Sequence, residues 1–105
     1  MAKVAIVILA DTETGADSAR VANALTTAYE FKEAGEEVTL VFTGAGTKRV
    51  GELPEPDHPL NRAFRLVEEE VVGACKACGV PLLAEYRGHQ SLRRLISEGY
   101  QVVTF

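Results

Sequence analysis

The sequence nowhere runs to the roughly 18 consecutive apolar residues that a membrane-spanning helix requires, so no membrane association of that kind is expected. It also lacks an excess of base. Eleven Lys and Arg stand against fifteen Asp and Glu, for a net charge of −4, and basic residues adjoin only at Lys48-Arg49 and Arg93-Arg94. That distribution argues against nucleic acid as the main partner. No internal repeat and no low-complexity tract occurs, and 105 residues leave no room for a second core. Residues 1–105 therefore read as one compact domain. Two histidines far apart in the chain, His58 and His89, do not supply the short His spacing of a Cys2His2 zinc site, and no metal or cofactor is expected.

Cysteine is nearly absent as well, and the two that exist are close together, as Cys75-Lys76-Ala77-Cys78. The N-terminal Lys3 and the apolar run Val4 to Ala10 resemble a short signal peptide, but the run passes into Asp11-Thr12-Glu13 without a small-residue cleavage pattern. A buried strand and a cytoplasmic protein are the expectation. In that compartment a close Cys pair is more often reduced, catalytic or metal-bound than a structural disulfide.

Against these absences stands a regular alternation of elements. Val4-Ala5-Ile6-Val7-Ile8-Leu9 is continuously apolar and rich in β-branched residues, as suits a central strand covered on both faces. Asp17 or Ser18 can cap a helix in which Val21, Leu25, Ala28 and Phe31 share a face, and Gly35 ends it. Val38 to Phe42 reads as the second strand and Thr43 to Thr47 as the loop at its carboxyl end. Lys48 to Leu53 suits a short helix, and Pro59 the first turn of another, with Asp57 or His58 as cap. Beyond it, Leu60, Phe64, Val67, Val71, Cys75 and Cys78 recur every three or four residues, which fits one helix from Pro59 to Cys78. The competing parse ends the helix near Glu70 and makes Val71 to Ala74 a short strand. Val80 to Leu83 reads as a strand under either, and a parallel crossover takes about a dozen residues; the short stretch from Cys75 to Gly79 falls well below that, which favours the long helix. Ser91 to Ile96 forms a short helix stopped by Gly99, and Tyr100 to Phe105 a last strand. The order predicts an α/β fold: a three-layer α/β/α sandwich around an open, mainly parallel sheet of four strands, with a possible fifth.

Ligands of such sheets sit at the carboxyl ends of the strands, near the point where strand order reverses. Asp11 and Thr12 follow the first strand, and Gly44, Gly46 and Lys48 belong to a loop whose glycines let the backbone approach an anion. Arg87 and His89 follow the Val80 to Leu83 segment. The glycine loop lacks the third glycine of a dinucleotide fingerprint and the spacing of a phosphate-binding Walker loop, and a plain turn explains it equally. Glu68-Glu69-Glu70 reads as a solvated helix face. For Cys75 and Cys78 two readings stand side by side: reactive thiols, or apolar packing on a helix stripe. In the long-helix parse the pair lies at a helix C-terminus, where the dipole disfavours a thiolate.

The segments Lys3 to Leu9 with Asp11-Thr12-Glu13-Thr14, Asn23 to Gly35 with Ala28-Tyr29-Glu30-Phe31-Lys32-Glu33-Ala34-Gly35, Phe42 to Leu53 with the Gly44-Ala45-Gly46-Thr47-Lys48 centre, Gly73-Ala74-Cys75 to Cys78, and Tyr86-Arg87-Gly88-His89 through Phe105 together resemble the DsrE/DsrF-like family of small α/β proteins associated with sulfur relay. The likeness implies a homo-oligomer, a trimer or hexamer, and a persulfide carried on a Cys after the third strand. Here Cys75 occupies the matching position and Cys78 is a second thiol. Partners would then be a sulfur donor or acceptor protein. The alternative is a non-enzymatic oligomeric module that binds a small anionic ligand, with both cysteines structural.

Overall fold

A computed structural model describes residues 2–12, 14–47, 52–74 and 91–105. Strand β1, Lys3–Ile8, leads to helix α1, Gly15–Glu33, and strand β2, Glu37–Phe42. A 3-10 turn over Gly44–Thr47 follows, then helix α2, Asn61–Val67, a second 3-10 turn at Glu68–Glu70 and strand β3, Val71–Ala74. Helix α3, Leu92–Ser97, and strand β4, Gln101–Thr104, complete the described chain. The strands pair in the order β3-β2-β1-β4, every described pair parallel. The fold is therefore α/β, as the alternation of the sequence predicts.

The unbroken apolar run of β1 is explained by its place between two strands and two layers of side chains. Val4, Ile6 and Ile8 pack with Val21, Ala24, Leu25 and Ala28 of α1 and with Phe64 and Val67 of α2. On the opposite face Ala5 meets Val41 and Leu95 of α3. Each fully buried large aliphatic here stabilises the fold by about 1.5–3 kcal/mol before entropy is counted.

Helix α1 begins earlier than the sequence suggests. Its N-cap is Thr14 rather than Asp17 or Ser18, and the Thr14 Oγ1 accepts the backbone N–H of Asp17 at 3.0 Å. Thr14 and Asp17 thus stand at N-cap and N3, the spacing of a capping box, and the Asp side chain also faces the positive end of the helix dipole. Thr14→Ala should cost about 1 kcal/mol; urea unfolding checks this, and an unchanged midpoint would mean that the cap is not used in solution. At the other end Gly35, at φ +77°, turns the chain as its N–H reaches the Lys32 carbonyl and that of Glu36 reaches Phe31.

The single long helix from Pro59 to Cys78 is not what forms. Helix α2 starts at Asn61, after His58 Nδ1 has accepted the backbone N–H of Leu60 at 3.0 Å, and stops at Val67. Pairing explains the change. The edge of β2 is open to a parallel partner, and Leu40 aligns with Val71, Val41 with Gly73 and Phe42 with Ala74. The β-branched Val71-Val72 and helix-averse Gly73 are better placed in that ladder than in a helix. Nor do the three glutamates form a helix face. They make the turn into β3, where Glu70 pairs with Lys32 at 3.4 Å while Lys32 Nζ also donates to the Leu66 carbonyl at 2.9 Å. The expected strand Val80 to Leu83 and most of the expected helix from Lys48 to Leu53 lie outside the described residues.

Candidate functional site

Because the strands are parallel, Ile8, Phe42, Ala74 and Thr104 all end at one edge of the sheet. Three described segments meet there: Leu9 to Thr12 after β1, the Gly44–Thr47 turn after β2, and Phe105 after β4. Backbone bonds hold them in register. The Leu9 N–H donates to the Phe105 carbonyl at 2.7 Å, the Phe105 N–H to Val7 at 2.9 Å and the Thr43 N–H to Ile8 at 3.0 Å.

The Asp11 side chain is almost wholly buried, at 7% exposure, and its Oδ1 accepts the Thr12 N–H at 2.7 Å. Asp11, Thr12 and Gly46, three of the expected site residues, lie together around a hollow with Val21, Phe42 and Leu53 that leaves no room for a water molecule. Gly46 has a packing role there. A β-carbon at this position would overlap the Ile8 carbonyl oxygen and lie 3.0 Å from its carbon. Its N–H is spent within the turn, on the Thr43 carbonyl at 3.0 Å, so it is not one of the donors an anion would use. Gly44 adopts φ +56°, in the region that glycine tolerates best. The turn thus seats the β2 exit directly on the end of β1.

Open space lies beside this packed point, toward β4. The chain passes from β1 to β2 and β3 on one side, whereas β4 adds on the other, so strand order reverses between β1 and β4. At the carboxyl ends of these two strands is a crevice of about 330 Å³, lined by Leu9, Asp11, Asp17, Arg20, Ala45 and Phe105 among others. This is where an open α/β sheet binds its ligands. Arg20 Nη1 lies 3.3 Å from Asp17 Oδ1 on the first turns of α1. Sequence reading misses Leu9, Arg20 and Phe105, whereas Asp17 closes the Asp11 to Asp17 segment expected at the carboxyl end of the first strand. The Asp-x-x-Arg spacing is a visible signal of a helix-surface pair, but only the strand order puts it beside Phe105.

Cys75, Cys78, Lys48, Arg87 and His89 lie outside the described residues. The described part of β3 runs toward the same sheet edge as Asp11, with Ala74 paired to Phe42. Among the described residues no three His, Cys, Asp or Glu side chains gather as a metal site, and no helix is long and apolar enough to cross a membrane.

No family model matches the sequence, and no solved structure matches it. An uncharacterized protein of Methanocaldococcus jannaschii is 28% identical over 88 aligned residues, which take in 72% of this chain and 72% of the relative. Its name assigns it no activity.

Proposed function

We propose that the protein is a DsrE/DsrF-like sulfur carrier in which Cys75 holds the sulfur and Cys78 is its second thiol. The observation that supports this most is β3. β3, described over Val71–Ala74 and parallel to β2, brings the chain to the carboxyl edge of the sheet immediately before Cys75 in sequence, which agrees with a family likeness that expects the sulfur-bearing Cys after the third strand. The helix that would have carried both thiols on one buried stripe is replaced by that strand up to Ala74. The three-layer sandwich, a fifth strand, a cytoplasmic location, a homo-oligomeric state and a protein sulfur donor or acceptor belong to this same reading.

The chemistry is thiol exchange at a sulfane sulfur. The Cys75 thiolate attacks the terminal sulfur of a donor persulfide, R–S–SH. A new S–S bond forms on Cys75, the old one breaks, and the donor leaves as the thiolate R–S⁻, so no outside oxidant or reductant is needed. Attack by the Cys78 thiolate on the Cys75 sulfur would then close a Cys75–Cys78 disulfide and expel HS⁻.

Mass spectrometry after incubation with a persulfide donor is the test. Wild-type protein should gain about 32 Da, one sulfur atom. Cys75→Ser should gain none, and Cys78→Ser should keep the adduct longer because the second attack is lost. An unmodified wild-type spectrum, from folded protein whose Cys75 reacts with an alkylating reagent, would sink the reading.

A further inference from the structure

The crevice between β1 and β4 is separate from β3, the described strand that precedes the cysteine pair in sequence. β3 and β4 are the two outer strands of the described sheet, with β2 and β1 between them, roughly 14 Å apart at the usual spacing. We propose that this crevice binds a small zwitterion of the α-amino acid class with an apolar side chain. The inference does not depend on the sulfur-carrier reading.

Size comes first. A volume of about 330 Å³ is at the small end of the ~300–1,000 Å³ that ligand pockets span, and suits a molecule of amino-acid size. Its lining is divided in character. Leu9, Ala45 and Phe105 offer an apolar wall, and Leu9 remains 44% exposed although it is flanked by buried strand and loop residues. An apolar ligand arm laid there would remove that surface from water.

The polar side of the crevice carries the selectivity. Asp17 and Arg20 present opposite charges 3.3 Å apart, held side by side one helical turn apart. An α-amino acid carries its carboxylate and ammonium on one carbon, at comparable spacing and opposite sign. Laid head to tail on this pair, the ligand carboxylate receives N–H groups of Arg20 that the single Asp17 contact leaves over, and the ligand ammonium donates to Asp17. The arrangement makes four alternating charges. Charge-assisted bonds of this kind are roughly twice as strong as neutral ones, and the planar guanidinium favours a carboxylate. As an isolated surface pair Asp17 and Arg20 add little to stability beyond the place of Asp17 in the first turn of α1, and both line the crevice.

The pairing demands both ligand charges, which makes it testable with simple compounds. Leucine, isopentylamine (leucine without its carboxylate) and 4-methylpentanoate (leucine without its ammonium) would be titrated into the full-length protein and followed by backbone amide NMR. Leucine should shift the amides of Leu9, Arg20 and Phe105 saturably, and each single-charge analogue should bind at least about tenfold more weakly. Arg20→Gln, at a side chain 65% exposed and so tolerant of change, should weaken leucine at least about tenfold and erase its advantage over the amine. Cys75→Ser should leave leucine binding unchanged, which separates this result from the persulfide test. The proposal is overturned if leucine shifts none of these amides at roughly 10 mM, a weak-fragment concentration. It is overturned equally if either analogue binds as well as leucine, or if Arg20→Gln binds leucine normally.

Discussion

Gly46→Ala is expected to destabilise the protein by about 3 kcal/mol or more, and Gly46→Val further still. The reason is the neighbour a side chain would meet. A β-carbon at Gly46 overlaps the Ile8 carbonyl oxygen and stands 3.5 Å from that of Ala10. Both are backbone atoms in or next to the central strand, and the Ile8 carbonyl is already bound to the Thr43 N–H at 3.0 Å. A flexible side chain could turn aside; a paired strand cannot. Relief would require the Gly44–Thr47 turn to lift from β1, which opens the packing of Leu53 and Phe42 beneath it. Urea unfolding of the two variants, beside Gly15→Ala as a control, measures the effect. A β-carbon at Gly15 meets nothing within 4 Å, so that change should be neutral or slightly stabilising. A Gly46→Ala loss below about 0.5 kcal/mol, the scatter of ordinary surface changes, would mean that the turn does not rest on β1.

Phe42→Ala should cost about 3–5 kcal/mol, a large part of the ~5–15 kcal/mol that typically separates folded from unfolded states. Phe42 is 1% exposed and ranks first by volume among the side chains buried most completely. It closes β2 at the carboxyl edge of the sheet, aligned with Ile8 of β1 on one side and Ala74 of β3 on the other. Removing the ring leaves a cavity beneath Asp11 and Gly46, both of which line the same hollow. Phe42→Leu keeps most of the volume and should cost less, about 1 kcal/mol. Thermal melts order the three proteins; an Ala variant that melts with wild type would contradict the burial of this ring.

The strand Val4 to Leu9 was legible because an uninterrupted β-branched run has few places to go except the middle of a parallel sheet, and β1 is indeed central. Helices α1 and α3 were legible through apolar spacing and their stops at Gly35 and Gly99, both with positive φ. Residues 60 to 74 misled. Leu60, Phe64, Val67 and Val71 keep helical spacing, and all four do reach the same core. A helix followed by a strand places those side chains on one side as well as a continuous helix does, so periodicity could not separate the two.

The candidate site was legible only as a set of loops. Asp11, Thr12 and Gly46 are brought together at the carboxyl edge, yet the space they surround is filled, and the glycine that invited an anion is spent on close packing. The open crevice depends on β4 lying against β1 rather than against β3. Local sequence does not encode that choice.

By itself the sequence determined the alternation of strands and helices, the central place of β1 and the edge of the sheet at which function would be sought. These follow from local periodicity, from glycine stops and from the rule that a fully apolar strand needs cover on both faces. Only the tertiary structure decided that Val71–Ala74 is a strand, that Gly46 must be glycine, and that Asp17, Arg20 and Phe105 share a crevice. Each of these depends on a neighbour distant in the chain: the free edge of β2, the Ile8 carbonyl, and the pairing of β4 with β1. Long-range pairing outweighs local preference wherever that preference differs by no more than about 1 kcal/mol per residue.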